Sequence, residues 1–201
     1  MVTSAMPQNK QRASSWRVID IVIASVLGVA CGFIFIVWNS IGYAWTTAFD
    51  AFTPGLGGIA VGIWLLGGVL GGLIIRKPGA AIFVEVLAAC VSAALASQFG
   101  IATIYSGLAQ GIGAELIFAL FLYRRYTLSS TMIAGMGAGI GAIFLELFLY
   151  GNMAKSFSFN IIYSTTVLVS GAVLAGLLSW FLVRALARTG ALDRFAAGRE
   201  V

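Results

Sequence analysis

The sequence predicts an all-α integral membrane protein with six transmembrane helices and both termini cytoplasmic. Three observations carry that expectation. Of the 201 residues, 60% are hydrophobic and 9% are charged, with a mean hydropathy of +1.00; a soluble domain carries about a quarter charged residues. Six apolar runs approach or exceed the roughly 20 residues that cross a bilayer. The basic residues gather in alternate connections between those runs, as the positive-inside rule requires.

The runs fall at 17–38, 56–76, 79–98, 102–123, 128–150 and 160–187. Residues 1–15 are polar and are expected to form a disordered cytoplasmic tail. Residues 16–190 form the six-helix domain, and 191–201 a cytoplasmic C-terminal tail. The stretch NSIGYAWTTAFDAFTPG after the first run is aromatic and weakly polar, so it reads as a capping loop or a short interfacial helix. Lys10, Arg12 and Arg17 precede the first run, Arg76 and Lys77 follow the second, and Arg124 and Arg125 follow the fourth. Arg184, Arg188, Arg194 and Arg199 close the chain, and the three other connections hold only Lys155. The net charge of +5 is therefore a matter of topology and gives no sign of nucleic-acid binding.

Composition also excludes chemistry. The chain has no histidine, which removes Ser-His-Asp and Cys-His catalysis and histidine-bound zinc. Cys31 and Cys90 lie mid-run without CxxC spacing and read as small core residues. No enzyme, metal centre or cofactor is expected.

Small residues four apart let helices approach closely, within one bundle or against a partner. Ala24, Gly28 and Gly32 form such a stripe on the first helix, as do Gly107 and Gly111 on the fourth. Three glutamates, Glu85, Glu115 and Glu146, fall within spans, where a carboxylate costs at least about 2.5–3.5 kcal/mol. No deep basic residue pairs with them, so each must be protonated, reach an edge, line a wet cavity or meet a cationic ligand. At about 1.5 Å per residue, Glu146 sits near the outer end of its helix, Gln110 deeper and Glu115 deeper still. Glu85 lies in the inner half, where a structural role or a ligand contact are both open. Trp38, Asn39, Tyr105 and Tyr163 gather at the outward ends. Aromatic faces with carboxylates suit a flat, cationic or aminated heterocycle.

RKPGAA at 76–81 followed by Glu85, QGIGAEL at 110–116, SGAVLAGLL at 170–178 and WRVIDIV at 16–22 resemble the thiamine/hydroxymethylpyrimidine-type substrate-binding (S) components of energy-coupling factor (ECF) vitamin transporters. The resemblance runs from Trp16 to about Leu192. It implies a plasma-membrane protein that captures a thiamine-like or aminopyrimidine molecule from outside. It further implies docking on a transmembrane (T) component driven by two cytoplasmic ATPases, with inward release. On that reading Trp38, Asn39, Tyr105, Gln110, Glu115, Glu146 and Tyr163 bind the ligand, and Ala24, Gly28 and Gly32 face the T component. The pattern departs at Ser92, where many relatives carry a second glutamate, which makes the neutral precursor hydroxymethylpyrimidine, or another aminated heterocycle, more plausible beside thiamine. The competing class is a self-sufficient proton- or ion-coupled carrier with Glu115 and Glu146 as proton sites.

Overall fold

The computed structural model describes residues 15–95 and 97–199. Those residues are helical, with no strand among them. The main helices are α1 (Val18–Phe52), α2 (Leu66–Ile75), α3 (Ala80–Ala94), α4 (Ala102–Leu120), α5 (Leu128–Phe148), α6 (Phe157–Ser170) and α7 (Leu178–Arg188), with a short α8 (Ala196–Arg199). A ten-residue 3₁₀ segment, Leu56–Leu65, runs directly into α2, and a π-helical segment, Gly171–Leu177, joins α6 to α7. Five of the continuous helices are long and apolar enough to cross a membrane. The predicted third crossing is a shorter helix of 15 residues.

The second span is the axis of the bundle. It is 83% buried, against 28–44% for the other four long spans, which fits a sequence apolar on every side. The rest wrap it. Its 3₁₀ half is fastened from outside: Ser170 Oγ donates to Ile59 O at 2.6 Å and accepts from Gly62 N at 2.8 Å. The Trp38 indole donates to Ala60 O at 2.9 Å.

Two expectations need correction. Residues 39–52, read as a loop or a short separate helix, continue α1 without a break for 35 residues in all. Nothing in NSIGYAWTTAF stops a helix; the break comes at Thr53 and Pro54, where the C-cap is extended. The C-terminal segment, read as a tail, folds back on the bundle: Leu192, Phe195 and Ala197 are buried, and the Arg17 guanidinium lies 5.9 Å from the Phe195 ring centre. The proposed N-terminal tail lies outside the described residues, save Ser15.

The Ala24–Gly28–Gly32 stripe is also corrected. All three residues are buried, and α3 occupies the surface they form. A Cβ on Gly28 would stand 2.8 Å from Leu87 Cδ2, and one on Gly32 would stand 2.6 Å from Val91 Cβ. The face that α1 leaves open is a different one, carrying Val18, Val26, Phe33 and Val37 at 56–78% exposure. Gly28→Leu is therefore expected to lower the ligand-free melting temperature, by overpacking worth about 1–3 kcal/mol. A thermal melt in detergent checks it; an unchanged melt with lost uptake would return the stripe to a partner.

Among the described residues, the basic side chains collect at one end of the bundle. Asp20, fully buried, caps its own helix through Arg17 N at 2.7 Å and receives the Arg17 guanidinium and the Lys77 ammonium. Arg76 adopts a left-handed C-cap after α2 and lies 4.4 Å over the Tyr126 ring. Lys155, the exception, lies at the other end over Phe159.

Candidate functional site

At the end away from the basic cluster, a cavity of about 280 Å³ opens between α1, the 3₁₀ segment and α3 to α6. That is near the lower bound of the roughly 300–1,000 Å³ typical of small-molecule sites. Its wall is aromatic. Tyr43, Phe99 and Trp64 meet edge to face, with centroids 6.2 and 6.1 Å apart. Tyr150 and Tyr163 line the other side. No lysine or arginine lines the cavity, whereas Glu85, Gln110 and Glu146 do.

The polar side chains differ in what they have already spent. Asn39 is committed: its amide donates to Ser92 Oγ and Ser97 Oγ, each at 3.1 Å, and accepts from the Trp64 indole at 2.8 Å. It holds Trp64 in the wall and has little left for a ligand. Gln110 is 8% exposed, and its amide makes no hydrogen bond to any described residue. Glu146 accepts a long bond from Asn152 Nδ2 at 3.4 Å and faces the Tyr163 hydroxyl, with Lys155 within electrostatic reach. Glu85 accepts from Gly68 N through Oε2, while its buried Oε1 has no partner among the described residues.

Three predicted site residues are not among those that line the cavity. Glu115 turns the other way and caps α3. Its Oε1 accepts from Gly79 N at 2.7 Å and from the Tyr123 hydroxyl at 2.7 Å, and its Oε2 accepts from Ala81 N at 2.9 Å. The first amides of a helix have no intrahelical partner, and here a carboxylate from a neighbouring helix supplies one. Trp38 sits one layer behind the wall, edge to face with Trp64 at 6.4 Å. Tyr105 is 51% exposed, one residue round the helix from Ser106, which does line the cavity. Sequence reasoning missed Trp64 and Phe99; the signal for Trp64 was a lone tryptophan in a glycine-rich span.

α3 and α4 can bring Glu85 and Gln110 to one place because glycines let the helices touch. A Cβ on Gly107 would meet Ala89 Cβ at 2.5 Å, and one on Gly111 would meet Glu85 Cβ at 3.2 Å. Gln110 lies between those two positions.

A bundle of apolar helices around one polar, aromatic-walled cavity defines a multi-pass membrane protein of the small-molecule transport class. The family model described as "ABC-type cobalt transport system, permease component" matches residues 19–141. The chain is 35% identical to the putative HMP/thiamine permease protein YkoE of Bacillus subtilis (strain 168), over 93% of this chain and 92% of that protein. It also matches a structure described as an S-component of an ECF transporter, with a TM-score of 0.80 and 34% identity, covering 92% of this chain and 93% of that one. The chain belongs to the S-component family of ECF transporters.

Proposed function

We propose that this protein is the high-affinity binding subunit of an ECF importer for hydroxymethylpyrimidine or thiamine. The basic end faces the cytoplasm, with both termini, and α3 completes a set of six crossings in the plasma membrane. The ligand enters the cavity from outside. After docking on a T component and two ATPases it is released inward; the protein itself performs no catalysis.

The observation that carries this reading is the unspent amide of Gln110, in an aromatic cavity that holds carboxylates and no cation. An amide offers a donor and an acceptor side by side, the complement of an aminopyrimidine edge. Glu146, nearer the mouth with Asn152 and Tyr163, suits a positively charged second ring. The cobalt in the family description finds no counterpart, because the chain lacks histidine and no three His, Cys, Asp or Glu side chains cluster among the described residues.

Calorimetric titration of purified protein with hydroxymethylpyrimidine and with thiamine tests the reading; no heat from either would sink it. Gln110→Ala is expected to weaken binding by about 1–3 kcal/mol, because a ligand edge is left unpaired. Its ligand-free melting temperature should stay within a degree or two of wild type, since the amide bonds to no described residue. A fall in melting temperature with intact affinity would make Gln110 structural. ATP-dependent uptake in cells that supply the T component and ATPases tests the coupling separately.

A further inference from the structure

α7 carries a face that neither the bundle nor the cavity uses. Ser179, Val183 and Ala187, four residues apart, are its buried side. Phe181, Arg184, Ala185 and Arg188 line an open groove on its outer side, and no residue of α7 lines the cavity at the other end of the bundle. Neither arginine forms an ion pair among the described residues, and α7 contains no aspartate or glutamate. Like charges one turn apart on a helix repel, so the pair favours an anion between them. The Arg184 guanidinium lies 4.9 Å from the Trp180 ring centre, a contact that steadies its plane and leaves its N–H edge to donate elsewhere. Further into the span, the exposed side chains from Val169 to Phe181 are all apolar: Val169 is 58% exposed, Val173 41% and Phe181 58%.

We infer that this face binds one anionic phospholipid from the leaflet at the basic end of the bundle. Its phosphate sits between the Arg184 and Arg188 guanidiniums, and an acyl chain runs along Phe181 toward Val173. The two parts of the surface define the ligand together. Guanidinium N–H groups pair with phosphate oxygens, and a spacing of four residues brings both side chains to one phosphate. A free phosphate would leave the apolar lane uncovered, and a purely apolar partner would leave two cations unanswered. A tryptophan beside the arginines marks the depth at which headgroups begin. Arg124 and Arg125 are exposed at the same basic end, but they are successive residues in the non-helical connection between α4 and α5 and share no helix face. The inference does not rest on the proposed function, because the groove and the cavity have no residue in common.

The experiment titrates full-length protein in detergent with phosphatidylglycerol and with phosphatidylcholine of the same chains, and counts bound lipid by native mass spectrometry. Wild type is expected to hold one phosphatidylglycerol at least about tenfold more tightly than phosphatidylcholine, as two arginines at a charged headgroup allow. Arg184→Gln combined with Arg188→Gln should abolish that preference. Arg124→Gln combined with Arg125→Gln removes the same charge from the same end and should retain it. Equal losses in the two double variants would mean diffuse attraction and overturn the site, as would a wild type that binds both lipids alike. If the first double variant does not fold, Arg188→Gln against Arg125→Gln reads the same difference with one charge each. Phosphatidylglycerol should then bind at least about threefold more weakly to the former alone; equal affinity overturns the inference. Glycerol 3-phosphate in about hundredfold excess should not displace the lipid; displacement would leave a phosphate site without a tail. Arginines that ignore both lipids but hold an acidic protein in a detergent-stable complex would give the face to that protein instead.

Discussion

Gly113→Val is expected to leave little folded protein. α4 and α5 run antiparallel with their backbones in contact at two levels. A Cβ on Gly113 would collide with the Gly137 carbonyl and lie 3.2 Å from Ala138 Cα, and one on Gly137 would meet Gly113 O at 2.6 Å. One turn away, a Cβ on Gly141 would collide with the Ala109 carbonyl. The three nearest atoms to a Cβ on Gly113 are all main chain, so no rotamer change relieves the clash. Overpacking a core typically costs about 1–3 kcal/mol and occasionally more; here a whole helix must shift, and about 3 kcal/mol is the lower bound. Shifting α4 away from α5 also opens the cavity, since Gln110 and Glu146 stand on those two helices. Yield, size-exclusion profile and thermal melt measure the effect. A monodisperse variant with a wild-type melt would mean that the helices do not touch this closely.

Glu115→Ala is expected to lose about 3 kcal/mol of stability and no ligand affinity. The substitution strands two backbone N–H groups at the start of α3 and the Tyr123 hydroxyl. Each buried unsatisfied donor costs about 1–3 kcal/mol, and water offers little relief if this turn lies at membrane depth. Glu115→Gln keeps one carbonyl oxygen and should fall between. Ligand-free melts and calorimetric titration of both variants separate the two roles. Weakened binding at an unchanged melting temperature would place Glu115 back in the site.

Much of the fold was legible because hydropathy and charge act residue by residue. The apolar runs and the clustering of arginine and lysine at one end needed no knowledge of neighbours. Glycine stripes were half legible. Gly28 and Gly32 announce that something packs closely, but whether that is α3 or another protein depends on a helix contributed 60 residues later in the chain. Gly107 and Gly111 touch α3, whereas Gly113 on the same helix touches α5, and spacing alone does not say which. The glutamates show the same limit. Burial cost marks all three as needing a partner, yet the partner of Glu115 is the main chain of a turn that sequence shows only as RKPGAA. Helical angle did place Gln110 and Glu115 on different faces, about 140° apart, and Gln110 lines the cavity while Glu115 caps α3. The course of residues 39–52 was obscured because aromatic, weakly polar sequence suits a membrane-surface loop as well as a helix.

The buried second span bears on how the protein is made. In the finished bundle LGGIAVGIWLLGGVLGGLII meets other helices on nearly every side. During synthesis it reaches the bilayer before the residues of α3 to α7 exist to surround it. Its lack of any charged side chain therefore matches a transient environment, the lipid it must wait in, as much as its final one. A polar substitution that the completed core could satisfy with a partner from α5 or α6 would still face hydrocarbon first. Variants of this span should accordingly divide by when they fail, at insertion or at assembly, and only the second kind would be rescued by stabilising the folded state.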